Sequence, residues 1–557
     1  ATFVTQAAYA QGVASDQQLQ AVTVTSTGAR SPLDPNLPST TASKTAEELR
    51  LQQNIFNPED ALQNLPSTTI RKRYSGDRNA LIGGRSFATT QAPRGLVLMD
   101  GYLVSNFLGR FDAPRWNMIA PEEMGRIDVL YGPFSAIYPG NSVGTTVAIT
   151  TTRPKGFEGS VRIAAQSQKF DLYGSGDTYN NYQASALIGD RAASGLWWRL
   201  MLNRQDSTSQ PMQWLTVDAT PAGNFSPPAG TGATVPVTGV VYDLGPKGLR
   251  RAVLGANSGA VDHTIQHTVK ATIGYDLGRE LSLEGFVAAW RNDSTNHSST
   301  FLRDAAGKPV WSSRVSNDGN VFSIAASALG PFDRLENHAQ AGATLKTRNT
   351  TGWNGSIVAS AYRVVQDQQR TASNPEPLAA SGGTGVGVRR DGTGFNTFEL
   401  QGAYTPVAGD WTGGGHSLTV GLHANDYTLE QRTDNLPDWR GTNGVETQFV
   451  GGKTKLMALY VQDAWRVAQG WTATFGLRWE SWAALDGKQV FTPAPPAPAL
   501  YAERKVVATS PKFSLAWDPV ADLTLRLSAG EGTRFPTVAE LFQGTRSGNT
   551  LVLNDPN

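Results

Sequence analysis

The chain has 557 residues, and its 48 basic and 47 acidic side chains leave a net charge of +1. That length exceeds one ordinary globular core and asks for several domains or one large barrel, while the charge balance leaves no basic footprint for nucleic acid. Only 39% of the residues are hydrophobic, and no apolar run nears the roughly 18 residues of a membrane-spanning helix; a β-barrel stays open, because its strands alternate apolar and polar residues.

Without Cys there is no disulfide framework and no thiolate metal site. The 58 Gly and 14 Trp suit an all-β protein with many turns and an aromatic girdle.

Residues 1–10 read ATFVTQAAYA, and Ala8-Tyr9-Ala10 before Gln11 matches an A-x-A cleavage pattern. A residual signal-peptide tail with maturation after Ala10 is expected. Residues 11–45, rich in Ser, Thr, Gln and Pro, have little to bury and read as a flexible segment. Within it, Ala21, Val22, Thr23, Val24 and Thr25 form a short β-branched alternation.

Residues 46–155 read as a mixed α/β domain. Ala46 to Leu51 suits a short helix, and Asn57-Pro58-Glu59-Asp60 starts a second with Asn57 as its cap. Strands are expected at Thr68–Lys72, Leu81–Ile82 and Gly95–Met99, the last ending in the tight-turn pair Asp100-Gly101. Pro121 to Pro154 then reads PEEMGRIDVLYGPFSAIYPGNSVGTTVAITTTRP: an acidic helix start, a strand through Ile127 and Val129, a Gly132-Pro133 turn, a second strand through Val147 and Ile149, and a basic stop.

From 156 onward the period is two. Trp471, Ala473, Phe475, Leu477 and Trp479 alternate with Thr472, Thr474, Gly476, Arg478 and Glu480, as in strands with one face in lipid and the other in a polar lumen. Short links at 190–195, 276–280, 349–352, 408–415, 468–470 and 518–522 alternate with long ones, roughly 208–262, 297–335, 368–395, 432–453 and 484–504. Short turns face the periplasm and long loops face outward in such barrels, and about thirteen strands fit between 159 and 536.

The ordered run DALQNLPSTTI, NALIGGRSF, RGLVLMDG and PEEMGRIDVLYGP resembles the plug domain of TonB-dependent outer-membrane receptors over about a hundred residues. The GTRFPTVAELF segment at 532–542 and LNDPN at 553–557 are similar to the mid-barrel FRAPT-x-x-EL and NPNL region of that family. Two departures stand out: Tyr131 replaces the usual Arg before Gly-Pro, and Thr145-Thr146 replace a usual Gly pair.

The resemblance implies a mostly β chain, with an α+β plug (46–155) inside an antiparallel transmembrane β-barrel (156–557) whose C-terminal part is missing. About 13 strands are present of about 22 in a plugged outer-membrane transporter. It also implies active import of a scarce nutrient, foremost a ferric siderophore, with haem, another metal chelate or a vitamin as the alternative; a passive porin-like channel is the alternative of another class. Residues 21–25 would then be the TonB box, lending backbone hydrogen bonds to the TonB C-terminal domain by strand addition. The other partners expected are the metal chelate and outer-membrane lipid, for a monomer that binds no nucleic acid.

Asp100, Gly101, Arg126, Gly132 and Pro133 carry the plug motif, with Arg126 the surviving candidate for a plug arginine paired with a barrel glutamate. Arg85, Phe87, Phe107, Arg110, Phe111, Arg115 and Trp116 are the ligand-contact candidates, because cations beside aromatic faces suit an anionic chelate.

No resident metal or cofactor is expected, and no enzyme. H-E-x-x-H and EF-hand patterns are absent from the sequence. Gly452-Lys453-Thr454 has Thr447 where a phosphate loop requires Gly.

Overall fold

The computed structural model describes residues 39–84, 94–109, 112–132, 135–226, 228, 232–278, 280–407, 415–492, 499–520, 523–542, 544–547 and 550–553. The candidates at 21–25, together with Arg85, Phe87, Arg110, Phe111 and Pro133, lie outside them.

The N-terminal part is a five-stranded sheet with its helices. Its elements are β1 (Thr40–Thr45), α1 (Ala46–Gln52), the hairpin-like pair β2 (Thr68–Arg71) and β3 (Leu81–Gly84), then β4 (Gly95–Met99), β5 (Tyr102–Leu103), β6 (Met124–Tyr131) and β7 (Thr145–Thr151). The sheet order is β1-β6-β7-β4-β5, with only β4 and β7 parallel. Val97, Ile127, Val129 and Val147 are fully buried at its centre.

Two local expectations change. β1 pairs with β6 from Thr40↔Tyr131 to Thr45↔Arg126, so the sheet starts inside the stretch read as flexible and ahead of position 46. At 58–62 the chain forms a 3-10 turn rather than an α-helix. There the Asp60 carboxylate accepts from the Phe56 and Asn57 backbone N–H groups, while the Asn57 side chain instead reaches Gln205 on the surrounding wall at 3.1 Å. The Thr145 departure has a steric counterpart: a Cβ on Gly84 would fall 1.8 Å from the Thr145 methyl, so position 84 has no room for a side chain.

Around this sheet runs the barrel: β8 (Glu158–Phe170), β9 (Asp177–Arg191), β10 (Leu196–Thr208), β11 (Arg250–Leu277), β12 (Leu281–Thr300), β13 (Phe332–Thr347), β14 (Gly352–Ala372), β15 (Gly394–Thr405), β16 (His416–Leu436), β17 (Val445–Ala468), β18 (Trp471–Phe491), β19 (Arg504–Val520) and β20 (Leu523–Gly530). Each pairs antiparallel with the next. The six short links fall where the alternation placed them.

Burial is inverted relative to a soluble protein. Along 264–273 of β11, Thr264, Gln266, Thr268, Lys270 and Thr272 are buried, whereas Val269 and Ile273 are exposed; on β18 Arg478 and Glu480 are buried while Phe475, Leu477 and Trp479 are exposed. An apolar outer face over a polar lumen is the arrangement of a membrane barrel. No helix among the described residues is long and apolar enough to cross a membrane.

The stretches read as long loops are more ordered than the sequence suggested. Strands run far into them, β11 for 28 residues against the 9–11 or so that cross a bilayer. Beyond them 209–250 and 301–331 share a hydrophobic core of their own, in which Phe225 packs on Phe322 and Leu302, Val315 and Leu329 are buried. A short helix α2 (Glu376–Ala379) ties in neighbouring loops: Glu376 accepts from the Ser298 N–H and pairs with His297, and the Trp439 indole donates to the Ala379 carbonyl.

Candidate functional site: the plug against the barrel wall

The site is the contact between the internal domain and the lumen wall, and it is built mostly of ion pairs. Arg78, between β2 and β4, places Nη1 3.1 Å from Asp262 on β11 and Nε 3.0 Å from Glu336 on β13. Tyr74 OH also donates to Asp262 at 2.9 Å. Arg334 holds the other side of Glu336 at 3.0 Å and pairs with Asp367 at 2.8 Å. Apart from Arg334, which is only partly buried, these groups are deeply buried, so the attraction acts in a medium that screens it poorly.

A second anchor has the opposite polarity. The 3-10 turn Pro121–Glu123 presents two acids to basic wall residues. Glu123 lies 3.1 Å from Arg199 and 2.8 Å from Lys270, and Glu122 lies 3.2 Å from Arg162. Arg153, just after β7, pairs with Glu284 at 2.6 Å. Ser135 donates to Gln462, and Arg478 reaches the carbonyls of Ala136 and Ile137.

Arg126 takes no part in this. Its Nε pairs with Asp128 on its own strand at 2.8 Å, and Asp128 also accepts from Ser43 Oγ of β1 at 2.5 Å. The expectation of a link from Arg126 to a barrel glutamate is therefore corrected: side chains two apart on β6 share one face, and an acid already stands there. Arg78 and Glu123 do the anchoring, and the sequence offers no local signal for either, since their partners stand more than seventy positions away.

Asp100 and Gly101 form the tight turn between β4 and β5, with φ of 51° and 90°. The Thr151 N–H and hydroxyl donate to the Asp100 carboxylate at 2.9 and 2.6 Å. Gly132 also has positive φ, 87°, at the turn that leaves β6.

Of the described ligand candidates, Trp116 packs inside the plug, 3% exposed, its indole donating to the Ala80 carbonyl. Arg115 and Phe107 reach the wall instead. The Arg115 guanidinium sits over the Tyr362 ring at 5.8 Å, and Phe107 meets Tyr427 edge-on at 6.2 Å.

Both contacts fall on a band of rings that sequence reasoning missed. Trp290, His338, Tyr362, Phe395 and Tyr427, one on each of five successive strands, stand with neighbouring centroids 5.0, 5.7, 5.1 and 5.3 Å apart. The signal was there: an aromatic or His at lumen parity on each of β12 to β16. A last segment also enters the lumen. In α3 (Val538–Phe542) the Ala539 N–H donates to the Leu108 carbonyl at 2.9 Å, and nearby Phe535 stacks on Trp482.

Glu336, His338 and Asp367 bring donor atoms within 4.8 Å of one another, the sole such group among the described residues. Arg78 and Arg334 hold the carboxylates and Tyr362 OH the imidazole Nδ1 at 2.6 Å. The carboxylates are thus engaged in ion pairs, while His338 Nε2 has no hydrogen-bond partner among the described residues.

Below the Phe107–Tyr427 contact lies a cavity of about 1710 Å³ between the plug and strands β13 to β16, lined also by Asp100, Gly101 and Arg126.

Comparison with known proteins agrees with this architecture. The family described as TonB-dependent receptor plug domain matches residues 35–146, and the TonB-dependent receptor-like β-barrel matches 273–557. Among solved structures, the ferric citrate transporter FecA in its unliganded form aligns at 13% identity over 88% of this chain and 62% of its own, with a TM-score of 0.59. The ferric yersiniabactin uptake receptor FyuA from Yersinia pestis aligns at 13% over 88% and 63% (0.54), and the copper transporter OprC at 14% over 94% and 67% (0.56). The chain thus spans less than two thirds of FecA and FyuA. No curated protein sequence matches it. Since the barrel profile alone matches more than half of its residues, the chain belongs to the TonB-dependent receptors, a family of outer-membrane β-barrels that transport rather than catalyse.

Proposed function

We propose that the chain imports a metal chelate, foremost a ferric siderophore, across the outer membrane, with TonB supplying the energy. The observation that carries this reading is the filled lumen. A folded domain held by Arg78 and Glu123 to four buried wall residues stands in the lumen, which speaks against a passive channel. Moving it costs free energy, and the outer membrane holds no nucleotide to supply it.

In this reading residues 11–45 carry the coupling segment with its box at 21–25, 46–155 serve as plug and 156–557 as barrel. Arg85, Phe87, Arg110 and Phe111, with Arg115 and Phe107, are the side chains proposed to meet the chelate. The names of the ferric citrate and ferric yersiniabactin receptors favour a ferric chelate; that of the copper transporter supports another metal as the second reading.

The test is uptake of iron-55 presented on citrate, catecholate and hydroxamate carriers by cells with and without TonB. Accumulation of one carrier's iron that vanishes without TonB is expected. Accumulation that persists without TonB would make the protein a passive channel.

A further inference from the structure

We propose that residues 534–542 form a strap that seats one loop of the plug, 104–109, with Phe542 as the positioning residue that locks the strap to the barrel wall. The seat itself stands apart from the import reading; its effect on the chelate rests on that reading.

The path of the chain comes first. β20 pairs with β19 only as far as Lys512↔Gly530, whereas β19 continues past that level to Arg504. The chain thus leaves the wall early and crosses into the lumen, where Phe535, Val538, Leu541 and Phe542 are each at most 5% exposed. It is braced from within. The Thr537 N–H donates to the Glu540 carboxylate at 2.9 Å, the Glu540 N–H donates to Thr537 Oγ1 at 3.3 Å, and Arg534 pairs with Glu540 at 2.8 Å. Such reciprocal bonds fix a first helical turn.

One side of the strap holds the plug. The Ala539 N–H donates to the Leu108 carbonyl at 2.9 Å, and the Phe535 N–H donates to Asn141 Oδ1 at 3.3 Å. The other side holds the wall. Phe535 stacks on Trp482, and the Gln489 amide donates to the Phe542 carbonyl. The Phe542 ring fills a slot between two glycines: a Cβ on Gly452 of β17 would fall 2.4 Å from it, and one on Gly487 of β18 would fall 2.1 Å from it. Neither glycine has a positive φ, so the backbone does not call for glycine at either position. The close approach of the ring does.

Arg78 and Glu123 grip β10, β11 and β13, whereas the strap grips β17 and β18, another arc of the wall. Leu108 also precedes Arg110 and Phe111 by two and three positions. The strap therefore fixes the stretch that leads into two of the proposed chelate contacts.

Two variants of the full chain test this. Gly487→Ala puts a methyl where the ring stands, and Phe542→Ala removes the ring without touching a barrel strand. Either should speed amide hydrogen exchange at 537–542 and 104–109 by about tenfold, with 74–78 and 121–124 at the parent rate. Adding Phe542→Leu to Gly487→Ala should restore slow exchange, because a smaller side chain fits the narrowed slot. Parent rates in both single variants, or no rescue by Phe542→Leu, would overturn the strap. With iron-55 presented on citrate, catecholate or hydroxamate carriers, Phe542→Ala should raise the half-saturating concentration about tenfold and leave the maximal rate within about twofold. Faster exchange with unchanged half-saturation would overturn the link to the chelate contacts. A parent receptor that imports none of the three would sink the import reading, while the exchange rates still decide the strap.

Discussion

Arg78 and Glu336 meet at 3.0 Å across 258 positions of sequence, one on the plug and the other on the barrel wall, both nearly inaccessible to solvent. The same guanidinium reaches Asp262 on another strand at 3.1 Å, so one side chain joins the plug to two staves of the barrel.

Arg78→Ala should therefore free the plug. Removing one partner of a buried pair typically costs about 3–5 kcal/mol, because the remaining charge is stranded; Arg334 and Tyr74, which keep Glu336 and Asp262 partly satisfied, place this case toward the lower end. Planar-bilayer recordings should show frequent openings absent from the parent protein. A silent variant would mean that the anchor is elsewhere.

Arg126→Ala should behave differently. Its partner Asp128 lies on the same strand and bridges to Ser43 of β1, so the loss weakens the β1–β6 seam and spares the wall contacts. Resting conductance should stay at the parent level, while protease cleavage near β1 becomes faster. Conductance rising as far as in Arg78→Ala would restore Arg126 to an anchoring role.

How much of this was legible follows from range. The Asp100-Gly101 turn, the limits of β4 and the six short links are set by residues within a few positions, and those expectations match the structure. The lumen parity of Arg478 and Glu480 was equally readable, because a period of two fixes which face each side chain takes. The partners of Arg78 and Glu123 depend on how the plug is seated, which no local pattern encodes. The core formed by Phe225, Phe322 and Leu302 hid in stretches whose Gly and Pro content mimics loose loop. The aromatic band was hidden differently, since each ring is ordinary on its own strand and only the register lines them up.

Glu59 supplies a pH dependence. It is buried in the plug, with Lys72 no nearer than 3.9 Å, and burial pushes its carboxyl up to about 8 against the partial relief from Lys72. A carboxyl whose folded value is raised binds more protons folded than unfolded, so stability is full below the unfolded value of 4.5 and falls as pH rises through about 8. Hydrogen exchange of the plug should quicken over that window. Glu59→Gln should flatten the curve and protect the plug at alkaline pH by on the order of 2–4 kcal/mol. A variant with the parent's pH profile would remove Glu59 as its source.

The coupling segment at 21–25 gives the sharpest test of energy transfer. Strand addition uses backbone N–H groups, and proline removes one while fixing its own φ near −65° or so. Val22→Pro and Val24→Pro should leave surface binding of the chelate intact, because the proposed outer contacts lie beyond the plug from the periplasm. Uptake should fall to the level of cells without TonB. Val24→Ala keeps every ladder donor and should cost far less. Normal transport by both proline variants would show that the box lies elsewhere or that TonB does not drive this receptor.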